Sequence, residues 1–221
     1  MRRILIALLA SLPLAAFADG QATLVDGDGD PNSAVVARWA GDQLRVDFPE
    51  HAARGYLLMR DGKGHVVANI SGQTVVLGIR DVQSMLSQLG GADSSQLGSY
   101  QAQSVNSLTA TGETQTVAGI LGEVYQLDWV NSDGEVRQDR LVLSAEQPAQ
   151  ELLGVFDRYQ QVLTGHADPV AATLRERGMG ILRFGDRFEV SSLSSATPAP
   201  ATFALPSQSG GLQDLLRSVV Q

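Results

Sequence analysis

The chain has no cysteine. That absence removes disulfides, thiol nucleophiles, cysteine–metal sites and an acylated lipobox together. It has a single lysine, Lys63, and its other cations are arginines. The formal net charge is −8. An acidic chain is a poor partner for nucleic acid, whose phosphates need clustered cations, and for electrostatic docking on anionic lipid. Aromatic residues make up only 5% of the 221 residues, so each one weighs more in a core or a site. No apolar run is long enough for a stable membrane span. The Gly-x-Ser-x-Gly elbow, the P-loop and the His-Glu-x-x-His zinc motif are all missing. Gly178-Met179-Gly180 precedes a strand where a dinucleotide fingerprint would follow one, and it lacks the third glycine. His51, His65 and His166 stand apart from one another, without metal spacing. The carboxylates Asp128, Asp139, Asp186 and Glu189 lack the aromatic platform of a sugar site and read as a solvated sheet face. The chain therefore reads as non-enzymatic, with no cofactor.

An address is present. Arg2 and Arg3 precede an apolar run from Ile4 to Ala15, and Ala16-Phe17-Ala18 fits small-x-small cleavage. This is the pattern of a secretory signal peptide over 1–18, cut after Ala18. A soluble exported protein follows as the expectation, most simply in a bacterial periplasm. Residues 19–221 suit one domain, and 43% hydrophobic residues suffice for a real core.

Strand signals dominate the first half. Asp26-Gly27-Asp28-Gly29-Asp30-Pro31-Asn32 resembles the start of a calcium loop. Pro31 replaces its required glycine and Ala37 its bidentate glutamate, so a solvated turn is the plainer reading, and calcium near Asp26–Asp30 stays open. Ser33–Trp39 is the next strand. Gln43–Phe48 alternates, with Leu44, Val46 and Phe48 on one face and Gln43, Arg45 and Asp47 on the other. Asp61-Gly62 and Ser71-Gly72 join further strands at tight turns, which force antiparallel pairing. A short helix is expected at 81–89. A connector rich in Gly, Ser, Gln and Ala spans Gly90–Gln103. A polar edge strand is expected over Val105–Thr116.

The most legible unit is the hairpin Gly119–Ser144. Asn131-Ser132-Asp133-Gly134 suits a type I turn followed by left-handed glycine. That register pairs Val130 with Val136, Asp128 with Gln138, Gln126 with Arg140 and Val124 with Val142, a face suited to solvent. Tyr125, Leu127, Trp129, Leu141 and Leu143 fall on the other face, with Arg137 and Asp139 towards the tip. A two-residue loop would set Asp128 against Asp139, an unfavourable like-charge pair.

Helical spacing then sets in. Leu152, Phe156, Tyr159 and Leu163 form one stripe of a helix over 148–163, with Pro148 tolerated in its first turn. A second helix is expected at 169–177, a hairpin across Gly185-Asp186, a short strand Thr202–Leu205, and an amphipathic helix at 212–220.

This order of elements resembles the periplasmic lipoprotein-carrier fold, shared by lipoprotein-localisation proteins and related sensors. The likeness rests on Leu44-Arg45-Val46-Asp47, on Thr116-Val117-Ala118-Gly119 leading into Glu123-Val124-Tyr125, and on Phe203-Ala204-Leu205-Pro206. It implies an α+β fold: a strongly curved antiparallel sheet, an incomplete β-barrel, with helices over its concave face. It also implies a soluble carrier of an acyl chain or similar lipid, or a module that binds an envelope protein. Two readings stay open for Trp39, Leu44, Phe48, Tyr56, Tyr125, Leu127, Trp129, Leu141 and Phe188. They line a ligand cavity, or they are core packed under the helices. Room left unfilled by the Leu152–Leu163 stripe separates the two.

Overall fold

A computed structural model of the chain describes residues 19–70, 72–82 and 101–207. The expected signal peptide, the helix at 212–220, and most of the 81–89 helix and of the 90–103 connector lie outside the described residues.

The first strands are β1 (Gly20–Val25), β2 (Val35–Ala40), β3 (Gln43–Asp47), β4 (Tyr56–Arg60), β5 (Lys63–Ile70) and β6 (Gln73–Gly78). Next come β7 (Ala102–Val117), β8 (Ile120–Asn131) and β9 (Val136–Ser144). Helices α1 (Gln147–Thr164) and α2 (Pro169–Glu176) precede β10 (Gly180–Phe184) and β11 (Phe188–Ser194). All eleven strands join one antiparallel sheet, in the order β6-β5-β4-β3-β2-β1-β11-β10-β9-β8-β7. The sheet is not closed, and β6 and β7 are its two edges. Each half is a meander of neighbouring strands. The halves meet where β1 pairs with β11, Ala22 opposite Leu193 and Leu24 opposite Val190.

Turn chemistry explains the hairpins. Asp61 and Gly62 both take positive φ, 53° and 69°, between the pair Arg60 and Lys63. Ala118 and Gly119 do the same at 51° and 79°, between Val117 and Ile120. Two left-handed residues make the turn whose twist matches the flanking strands. The β8–β9 hairpin adopts the register read from its sequence, from Val130 opposite Val136 to Val124 opposite Val142. Asn131 N–H donates to Glu135 O at 3.0 Å, and Gly134, with φ 81°, donates to Asn131 O.

The helices follow from their apolar stripes. In α1, Ala149, Leu152, Leu153 and Val155 are buried. The helix stops at Gly165, whose left-handed conformation lets its N–H reach Gln161 O at 2.9 Å. Asp168 caps α2 by accepting the Val170 N–H at 2.9 Å, and Pro169 occupies the first turn. α1 packs chiefly on β10, and α2 on β7 and β10. Gly180 admits the first turn of α1: a Cβ there would lie 2.0 Å from the Ala149 carbonyl carbon. One core cluster gathers Trp39, Leu44, Leu152, Val155 and Val190. The other gathers Leu127, Trp129, Leu141, Leu143, Leu153 and Leu174. Burial of each such large side chain stabilises by about 1.5–3 kcal/mol.

Three expectations change. Val124 and Val142 are buried, so only Gln126, Asp128, Gln138 and Arg140 give that hairpin face its polar character. From Leu141 to Ser144 every residue of β9 is buried, and alternation ends there because both faces are covered. Thr202–Leu205 is not a strand. Pro200–Phe203 forms a 3-10 turn that buries Phe203. Arg45 Nη1 and Arg60 Nη1 donate to the Thr202 and Phe203 carbonyls at 3.3 and 3.1 Å, taking the place of a partner strand. Ser33 ends the 3-10 turn Pro31–Ser33 instead of opening β2.

Candidate ligand cleft

α1 does not cover the sheet evenly. Its first half seats Leu152 and Val155 in the core, while Phe156 and Tyr159, one turn on, stay half-buried. A cleft of about 450 Å³ opens there, between α1 and the strands β1, β2, β10 and β11. The sheet supplies Leu24, Val25, Val35, Phe184 and Phe188, and the helix supplies Phe156 and Tyr159. The Phe184 and Phe188 rings sit 6.2 Å apart, tilted by 45°. Their strands hold them opposite each other across the Gly185–Arg187 turn.

The polar lining is concentrated in Asp26, Ser33, Asp157, Gln160, Asp168 and Arg187. Asp157 is buried on α1, and its Oδ2 accepts from Arg175 Nη2 of α2 at 2.9 Å and from Gln161 Nε2 at 3.1 Å. Burial pushes the Asp168 carboxyl above its ordinary value, against the Val170 and Ala171 amides, which pull it down; nearby Asp157 adds to the rise. Burial likewise pushes the Tyr159 hydroxyl up to about 12. Arg187 lies over the Trp129 and Phe184 rings at 4.6 and 4.3 Å, and 3.5 Å from Asp139 Oδ2. That same carboxylate oxygen accepts the Trp129 indole N–H at 2.7 Å.

Of the residues singled out by sequence, Phe188 lines this cleft. Trp39, Leu44, Tyr125, Leu127, Trp129 and Leu141 are buried in the two core clusters. Phe48 packs half-buried against the first cluster. Tyr56 pairs with Asp47, on the face opposite Leu44 and Val46. There the Arg45 guanidinium stacks on its ring at 3.7 Å and forks onto Asp47. Sequence reasoning missed Leu24, Val25, Val35 and Phe184 as lining, because the cleft depends on where β1 sits. Phe156 and Tyr159 carried a signal, being the aromatics within a stripe otherwise aliphatic.

Other candidate chemistry is occupied locally. Asp26 Oδ1 accepts the Asp30 N–H, and Asp30 Oδ1 accepts the Asn32 N–H, each at 2.9 Å. The aspartates thus cap their own turn. Among the described residues no group of three or more His, Asp or Glu side chains is placed to hold a metal ion. Asp128 accepts from Ser107 and Gln138, which hold its carboxyl below the usual value. Glu189 pairs with Arg183 at 3.2 Å. No described helix is long and apolar enough to cross a membrane. Comparison with protein-family models, with curated proteins and with solved structures found no match to this chain.

Proposed function

We propose that this chain is an exported, non-enzymatic binder or carrier of an apolar ligand, acyl or lipid-like, on a lipoprotein-carrier-like scaffold. The cleft between α1 and the sheet carries this reading. Its volume, about 450 Å³, falls within the ~300–1,000 Å³ range of small-molecule sites. Its walls are aliphatic and aromatic, with polar groups concentrated in a few side chains, the usual make-up of a ligand pocket. The order of elements supports it in part: a strand meander, then a long hairpin followed by helices, although Phe203–Pro206, the end of a late strand in the resemblance, begins here in a 3-10 turn. An open sheet of eleven strands twists and coils, which favours a half-barrel wrapped about α1.

Native mass spectrometry of the protein purified from a periplasmic extract tests the reading. The expected result is a chain beginning at Asp19 with a lipid-sized adduct, replaced stoichiometrically by a neutral fluorescent alkyl probe. Phe156→Arg, at a half-buried position of α1, sets a charge in the apolar wall and is expected to abolish uptake while the fold persists. Protein that carries no adduct and ignores every alkyl probe would leave the cleft without a ligand and sink the proposal.

A further inference from the structure

Asp157 sets the chemistry of the cleft's polar end. Its side chain is 1% exposed, yet it lines the cleft. Arg175 and Gln161 both donate to Oδ2. Oδ1 is buried and has no hydrogen-bond partner. A carboxylate oxygen in that state carries an uncompensated desolvation cost that a donor would remove. Asp168 and Asp26 stand on the same lining. Arg187, on the same lining, is engaged with Asp139 and with the faces of Trp129 and Phe184, and its charge also reaches Asp168.

We propose that the cleft takes a cationic amphiphile, an apolar chain ending in an ammonium group that donates to Asp157 Oδ1 beside Asp168. This rests on the cleft being a ligand site, as proposed above, and narrows the ligand's class. An ammonium brings three donors and a positive charge. A fatty-acid carboxylate brings no donor for Oδ1 and sets its charge beside Asp157, Asp168 and Asp26, which Arg175 and Arg187 offset in part, where poor solvation strengthens the remaining repulsion. An alcohol brings one donor without charge and falls between the two.

Dodecylamine, dodecanol and laurate, each below its micelle concentration, are titrated against a neutral naphthylamine fluorophore bound to the full mature chain. Dodecylamine is expected to displace the fluorophore at about tenfold lower concentration than laurate at neutral pH, with dodecanol intermediate. Asp157→Asn is expected to weaken dodecylamine about tenfold and to leave dodecanol within about twofold. That variant also loosens Arg175, so Asp168→Asn is measured beside it. Asparagine still caps α2. Its expected effect is a several-fold loss for the amine alone, with unchanged circular dichroism. Laurate competing as well as dodecylamine, or an amine affinity that neither variant lowers, overturns the ammonium assignment and leaves the apolar cleft standing. Failure of all three alkyl chains to displace the fluorophore overturns the cleft itself as a ligand site.

Discussion

Trp129 is fully buried, and its indole N–H donates to Asp139 Oδ2 at 2.7 Å. Arg187 approaches the same oxygen at 3.5 Å. Asp139→Leu keeps the branched shape and the number of side-chain heavy atoms and removes the acceptor. The buried indole N–H then has no partner, which costs about 1–3 kcal/mol. Loss of the ion pair adds less. Both side chains are about a fifth exposed, 23% and 19%, and the contact is long, so its share is about 0–1 kcal/mol. The orphaned donor therefore dominates, and the expected total is about 1–4 kcal/mol, against a whole-domain stability of about 5–15 kcal/mol. Asp139→Asn retains an oxygen acceptor and is expected to cost less than half as much. The double variant Trp129→Phe/Asp139→Leu removes donor and acceptor together. It is expected to cost about 1–2 kcal/mol less than the sum of the singles. Urea unfolding followed by circular dichroism measures the wild type, the three single variants and the double, with the slope unchanged. Additivity within about 0.3 kcal/mol, or an Asp139→Leu cost below about 0.5 kcal/mol, would refute the reasoning.

Two glycines predict opposite signs. Gly180→Ala drives a Cβ to 2.0 Å from Ala149 backbone and is expected to destabilise by more than about 2 kcal/mol, or to prevent folding. Gly154→Ala, inside α1, meets nothing nearer than the Arg158 side chain at 3.7 Å, and its gain in helix propensity is expected to stabilise by about 0.5–1 kcal/mol. Thermal melts check both, and a neutral Gly180→Ala would mean that α1 does not seat on β10. Burial raises the Tyr159 hydroxyl from 10.0 to about 12, so between those values the unfolded chain has released a proton that the folded chain keeps. Stability is expected to fall as pH rises through that window. Tyr159→Phe is expected to flatten the decline, and a tyrosinate titration with Tyr159 at its ordinary value would contradict its burial between α1 and the sheet.

The hairpins were legible because their determinants are local. Asn131 to Gly134 specify the turn, and the alternation of Tyr125, Leu127 and Trp129 specifies the face, so the register follows without knowledge of any other strand. α1 was legible for the same reason, from its stripe and from Pro148 in its first turn. Thr202–Leu205 read as a strand because its composition suits one, but the turn at Pro200–Phe203 lies against β3 and β4, interior strands already paired on both sides. The carbonyls that a neighbouring strand would have satisfied are taken by Arg45 and Arg60. β1 read weakly, since Gly20, Gln21, Ala22 and Thr23 carry little strand signal, although it lies at the centre of the sheet.

Sequence by itself determined most of the strands and the two helices α1 and α2, the register of the central hairpin, and that the usual catalytic motifs are absent. Those properties depend on residues a few positions apart. Tertiary structure decided which aromatics are core and which line the cleft. Trp129 and Phe188 carry the same apolar character in the chain. α2 and the Asp139 carboxylate close over Trp129, whereas Phe188 sits beyond the buried half of α1, beside Leu24 from the far end of the chain. The pairing of β1 with β11 makes that neighbourhood, and its register lies in long-range packing that no local pattern encodes.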